Sequence, residues 1–196
     1  MFRPTEADLE RLVAIARLSI PGVAAFEDVL RVVRHNSNCV FAVARKSRFD
    51  AKAPVGEGFF AMLPLNKLGL ELLALDALNT ANPDVRFVAR PDERPAGIYM
   101  WGVFAPGPLA AGSALFMQEI ASPQYAGINM YTRPNTELGR RYNDTLGLVE
   151  GARIGGQAAP HLWFFPREPR TPLYDSYVRG AAKGEIGITV ARTFDD

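Results

Sequence analysis

A single cysteine, Cys39, and two histidines, His35 and His161, are all that this sequence has of the residues that build disulfides or most often hold transition metals. One cysteine excludes an intrachain disulfide, and two distant histidines with no Cys or carboxylate pattern beside them give no metal site, so no metal is expected. Cys39 lies in the apolar run NCVFAVA, where a buried, inert thiol is the expectation. Also missing is any apolar run long enough to span a membrane. The formal net charge is only +1, which removes the electrostatic reason to expect nucleic acid or an anionic membrane as partner. No charged-then-apolar leader precedes Arg3; with the lone cysteine, this makes a cytoplasmic location the expectation. No Gly-x-Ser-x-Gly elbow and no Walker-type Gly-Lys-Ser/Thr loop occurs, which weakens hydrolase and nucleotide-phosphatase readings.

What is present fits one globular domain over residues 1–196, with nearly half of the residues apolar and about a fifth charged. Leu9, Leu12, Val13, Ile15 and Ala16 recur at helical spacing behind Thr5 and Asp8, a capping-box variant, and a short strand is expected before them. A second helix is expected from Phe26 to His35. Cys39 to Ala44 and Val55 to Leu65 read as two strands of a hairpin. Lys67 to Asn79 is a leucine-rich helix with apolar residues on more than one face, either deeply packed or offered to a partner, a homodimer being one such arrangement. Thr80 to Ala96 returns the chain to a strand from about Gly97. Ile128 to Thr132 is a further strand, Asn135 can cap a helix over Thr136 to Leu146 with Gly147 at its end, and Val149 to Gly156 is a weak strand or turn. His161 to Phe165 is a stronger strand, and Ile186 to Val190 a last edge strand or arm. Arg167, Arg170, Arg179 and Lys183 read as a solvated tail, with recognition of an acidic partner as the alternative.

The chain is organised around Ile98 to Ile120, IYMWGVFAPGPLAAGSALFMQEI, a strand that turns at Gly107-Pro108 into a helix. Proline suits a first helical position, and the small residues Ala110 to Ala114 let another molecule approach the backbone. Unpaired N–H groups at such a turn can hold a phosphate or pyrophosphate. The same composition equally suits a helix packed closely on a sheet.

These features, with the opening FRPTEADLERLVAIA and the segment TELGRRYNDTLGL at Thr136 to Leu148, resemble the GNAT superfamily of N-acyltransferases. The resemblance runs loosely from Phe2 to about Phe165. The family's turn motif, Gln or Arg, two free positions, Gly, one free position, Gly or Ala, reads here as Leu109-Ala110-Ala111-Gly112-Ser113-Ala114, with its polar first position replaced by leucine. The resemblance implies an α/β fold: a GNAT-like mixed, splayed central sheet flanked by helices, with a helical insertion at 66–96 before the central strand and a C-terminal extension at 166–196. It implies acetyl-CoA or another acyl-CoA as co-substrate and an amine as acceptor. The backbone near Val103 and Phe104 would pair with the pantetheine arm, and the N–H groups from Gly107 through Ala114 would hold the pyrophosphate. Gly102 would mark the bulge that family members carry in this strand.

Two catalytic parts that the family often supplies are treated differently by this sequence. The central strand offers Tyr99 and Trp101 where a glutamate base is common; Glu57 and Glu119 are the nearest substitutes. Tyr142 is the candidate acid for the departing thiol, although the family's usual register falls on Asn143, and a one-residue step turns a helical side chain by about 100°. Tyr142 therefore either faces the thioester or packs as an amphipathic aromatic. Transfer of an acyl group to an amine by direct attack is the expected function; the alternative is a catalytically degenerate domain that binds acyl-CoA or a protein.

Overall fold

Thr5 Oγ1 accepts a hydrogen bond from the Asp8 N–H at 3.1 Å and starts α1 (Glu6–Ser19), which buries the stripe Leu9, Leu12, Val13 and Ala16. After Ile20 to Ala25, α2 (Phe26–His35) buries Val29 and Val32. The computed structural model describes residues 1 to 165 and residue 167. Next come β1 (Val40–Val43) and β2 (Gly58–Leu65), antiparallel and buried at every position, which is why both read as apolar runs without alternation. The expected N-terminal strand is a single bridge, Phe2 to Ala42.

Asn66 caps α3 (Lys67–Ala74), which ends five residues before the expected Asn79. Asp76 takes a left-handed conformation (φ 58°) and the Ala77 N–H returns to Leu72 O at 2.8 Å, which closes the helix. The rest of 66–96 runs along the end of β2, held by the bridge between Leu65 and Val88. Then follow β3 (Gly97–Phe104), a 3-10 turn (Gly107–Ala111), α4 (Gly112–Ile120) and β4 (Met130–Thr132). The cap of α5 (Glu137–Thr145) is Thr136, whose Oγ1 accepts from the Gly139 N–H at 3.0 Å; Asn135, expected in that role, lies one position outside. Gly147, at φ +76°, ends the helix as expected.

The segment from Val149 to Gly156 is a full strand in most of its length: β5 (Val149–Ile154) pairs with β6 (Gln157–Phe165) across Gly155-Gly156. Both glycines have positive φ, +56° and +84°, as a tight hairpin with the twist of its strands requires. One mixed, open sheet results, in the order β1-β2-β3-β4-β6-β5, with β3 and β4 as its parallel pair. The expected α/β architecture, a mixed sheet flanked by helices, is therefore present. Among the described residues no helix is long and apolar enough to cross a membrane.

The tail reading needs one correction. Arg167 is buried at 2% exposure and donates from Nη2 to Ile120 O at 2.6 Å, so it belongs to the packed body and not to a solvated tail. Arg170, Arg179, Lys183 and the strand expected at Ile186 to Val190 lie outside the described residues.

The core divides by sheet face. α1, α2 and α3 cover Val40, Ala42, Phe59, Ala61, Leu63, Tyr99 and Tyr131; α4 and its turn cover Phe41, Phe60, Met62, Ile98, Met100 and Met130. Register between β2 and β3 passes from Met62 opposite Met100 to Ala61 opposite Gly102, which leaves Trp101 as an extra residue in β3. This β-bulge inverts the alternation of the strand. Before it Ile98 and Met100 face α4; after it Val103 and Ala105 do so, while Phe104 joins Phe59 on the α1 side.

Candidate functional site

The parallel pairing of β3 with β4 covers only Ile98 with Met130 and Tyr99 with Tyr131. Beyond those residues β4 leaves toward α5 while β3 continues to Phe104. The strands part because β4 is only three residues long, and Pro134 then bars the backbone from donating to a ladder. Thr132 Oγ1 donates to Met100 O at 3.3 Å, the last cross-link before the gap. Between them opens a cavity of about 510 Å³, lined by Met100 to Gly107 from β3 and its turn, Thr132 to Thr136 from the end of β4 onward, and Leu138, Gly139, Tyr142 and Asn143 of α5. Among the described residues no strand covers the β4-facing edge of β3 from Trp101 to Phe104.

Of the residues expected to hold a cofactor, Val103, Phe104, Gly107 and Ala110 line this cavity. Leu109 is packed into the core at 7% exposure, Ala111 is exposed on the outside of the turn, and Ala114 lies beyond the lining. A Cβ on Gly107 would meet nothing within 4 Å, so this glycine serves its left-handed backbone (φ +56°) at an open corner. Gly112 serves packing: a Cβ there would stand 3.1 Å from Phe60 Cε2 and 3.1 Å from Val43 Cγ1, on the core side of α4. Of the two readings of the small-residue turn, close packing on the sheet accounts for Gly112. The turn also has few donors to spare, since Pro108 has no N–H and the Leu109 N–H already meets Pro106 O at 3.3 Å.

Tyr142 lines the cavity, and its hydroxyl lies 2.8 Å from Ser113 Oγ, which itself donates to Ala110 O at 2.6 Å. One chain of hydroxyls thus joins α5 to the start of α4. Asn143, the other residue considered for this place, also reaches the lining but is almost wholly buried, and its Nδ2 has no hydrogen-bond partner among the described residues.

On the opposite face lies a smaller cavity of about 110 Å³. Leu9 and Val13 of α1, Val29 of α2, and Val40, Phe59 and Ala61 of the sheet form its walls; Thr80, Tyr99 and Arg133 supply polar groups. The two cavities share Trp101, Gly102 and Val103, the residues at and after the bulge, together with Ile20, Arg133 and Asn135. Among the described residues Arg133 is the one charged side chain in either lining. Its Nη2 is paired with Asp76, and its Nε, shielded from water, meets no acceptor among the described residues. Tyr99 is hydrogen-bonded to Thr80 and to the Arg133 backbone, and its burial pushes the phenol above its ordinary pKa. It is protonated at neutral pH.

The other candidates are occupied elsewhere. Arg45 and Arg48 both hold Glu57, and the hydrogen bonds from Arg45 bring its carboxyl down to about 2, the opposite of what a base working near neutrality requires. Glu119 faces Arg3 at 3.7 Å, outside both linings. His161 Nε2 lies 3.2 Å from Leu73 O and His35 Nε2 3.0 Å from Val88 O. Cys39 is fully buried, which pushes its thiol well above the ordinary range. Among the described residues no three His, Cys, Asp or Glu side chains gather as a cation site.

Sequence reasoning passed over Arg133 and Thr132. The signal available was their place in TRPN, where a strand runs out at a proline, since residues at the ends of parallel strands line the crevice in open α/β sheets. No family model, curated protein or solved structure matches the chain.

Proposed function

We propose that this protein transfers an acetyl or longer acyl group from acyl-CoA to an amine, both bound at once, with the thioester at the junction of the two cavities. One observation carries the reading: a single bulged strand, β3, forms part of both walls, and the cavities meet at Trp101 to Val103. A group that must pass between two reactants needs such a meeting point, and holding both there supplies much of the rate. The open edge of β3 suits the amides of a pantetheine arm, which would add to the sheet as an extended peptide does.

In the chemical step the neutral amine nitrogen forms a bond to the thioester carbonyl carbon. The C–S bond then breaks with its electron pair on sulfur. Tyr142 gives that sulfur its proton and takes one back from the nitrogen through solvent. Ser113 Oγ, whose own proton goes to Ala110 O, holds the Tyr142 hydroxyl by accepting from it, and the hydroxyl turns from Ser113 to the sulfur as it gives up its proton. The ammonium form of the acceptor first loses its proton to water, because no carboxylate lines either cavity among the described residues. The reaction is balanced as ammonium plus acyl-CoA giving amide, CoA thiol and one released proton.

Thermal denaturation with acetyl-CoA and with longer acyl-CoAs tests the binding half. A ligand at a hundred times its Kd stabilises by about 2.7 kcal/mol, and no rise in midpoint with any of them removes the reading. Release of CoA thiol in the presence of amines then separates an enzyme from a domain that only binds acyl-CoA, for which the midpoint rises and no thiol is released.

A further inference from the structure

The smaller cavity has a composition that selects among amines. Its walls are mostly aliphatic and aromatic carbon, with Thr80, Tyr99, Arg133 and Asn135 as the polar exceptions, and its volume of about 110 Å³ is below the roughly 150 Å³ of an engineered apolar cavity that admits benzene. A branched aliphatic group fits such a space, whereas a long chain or a bicyclic ring does not. Among the described residues no Asp or Glu lines either cavity, so a polycationic acceptor would bring its extra charges to a place with no counter-charge. The charge that is present has the other sign. Arg133 stands at the junction, and Asp76 engages it through Nη2 alone. The guanidinium has five N–H donors, and the Nε–H is orphaned in a position shielded from water. A carboxylate drawn to this cation would take the outer Nη donors that Asp76 leaves open, since the shielded Nε–H is closed to a carboxylate oxygen as it is to water.

We infer that the acceptor is a small free α-amino acid with a branched aliphatic side chain, of the size of valine or leucine, its side chain in the smaller cavity and its carboxylate on Arg133. The inference rests on the acyl-transfer reading only for what happens to the amine; the binding site stands on its own geometry. In this pose the α-amine lies between an apolar side-chain site and the cation, which is where Trp101 to Val103 join the two cavities. A cation beside the amine also favours its neutral, nucleophilic form.

The test is calorimetric titration of the whole protein, with and without saturating CoA, using L-leucine and 3-methylbutylamine, which is leucine without its carboxylate. Leucine is expected to bind at least tenfold more tightly, because a site built around a polar group rejects the analogue that lacks it. Equal affinity for the two, or no binding of leucine, overturns the inference, and this comparison requires no variant. In Arg133→Gln the preference is expected to disappear; a preference that survives the substitution also overturns it. Arg133→Gln is expected to fold, since its pair with Asp76 is partly exposed. Acetyl-CoA titrated separately keeps the two ideas apart. Leucine binding without acetyl-CoA binding sinks acyl transfer and leaves the amino-acid site standing; acetyl-CoA binding without leucine binding does the reverse.

Discussion

The two cavities share a strand and differ in almost everything else. The larger opens where two parallel strands part, and backbone edge and hydroxyl groups dominate its chemistry: the uncovered side of β3, Thr132, Ser113 behind Tyr142. The smaller is a gap between α1, α2 and the sheet, with mostly carbon walls and polar groups from Thr80, Tyr99, Arg133 and Asn135. A backbone edge recognises a repeating polar chain whatever its end group, while a small carbon-walled space discriminates by size. On the acyl-transfer proposal, the difference makes the cofactor side generic and the acceptor side selective, with Arg133, which lines both cavities, standing where they meet.

The largest expected effect breaks the larger cavity. Tyr142→Phe removes the hydroxyl bonded to Ser113; on the acyl-transfer proposal this loses the general acid and should lower kcat by about 10²-fold or more, with acyl-CoA affinity little changed and stability lower by about 1 kcal/mol. Steady-state kinetics beside a melting curve checks this. An unchanged kcat would return Tyr142 to a packing role. A smaller effect is expected from Gly112→Leu, which crowds Phe60 and Val43 on the core side and costs about 1–3 kcal/mol, or some 2–4 °C in midpoint per kcal/mol in a chain of this size. If instead the midpoint holds and acyl-CoA affinity falls, Gly112 faces the ligand and the separation of packing from binding in this turn is wrong.

The smallest effect concerns a carboxylate outside both cavities. Glu57 is held at about 2 by Arg45, below its ordinary 4.5, so its contribution to stability is present above about 4.5 and is lost as pH falls toward 2. Glu57→Gln should therefore leave turnover at neutral pH intact and lower the midpoint slightly at pH 6. The gap to the native protein should close as the pH approaches 2. A large loss of turnover would show that the acyl-transfer chemistry draws on a carboxylate after all.

Some helix boundaries were legible because their signals are local: Thr5 and Asp8 start α1, and Gly147 ends α5. Local signals also misled by one residue, since Asn135 and Thr136 are both good caps and only the backbone angles at Thr136 decide between them. The early end of α3 was not legible, because the leucines that prolong the pattern, Leu75 and Leu78, continue the composition after the chain has left the helix at Asp76. At the site, Ala110 to Ala114 advertised close approach without saying of what. Whether the neighbour is a ligand or Phe60 depends on which way α4 is rotated, and that is fixed by residues as distant as Val43. Arg133 was hidden for a similar reason: its importance comes from a junction made by three segments that are far apart in the chain.

Trp101 gives the bulge a further meaning. A strand normally assigns its residues to inside and outside once and for all, so a ligand on one face is felt by every second residue. Here one added residue works as a reading-frame shift in space: upstream and downstream halves of β3 report to opposite faces with the same sequence parity. Deleting a single residue at Trp101 would therefore do more than shorten a strand. With Met100 joined directly to Gly102, the pairs Met62–Met100 and Ala61–Gly102 would follow each other without a bulge and Val103 would keep its side. The irregularity at which the two chambers meet would be gone, so that the junction exists only as long as the strand remains one residue too long.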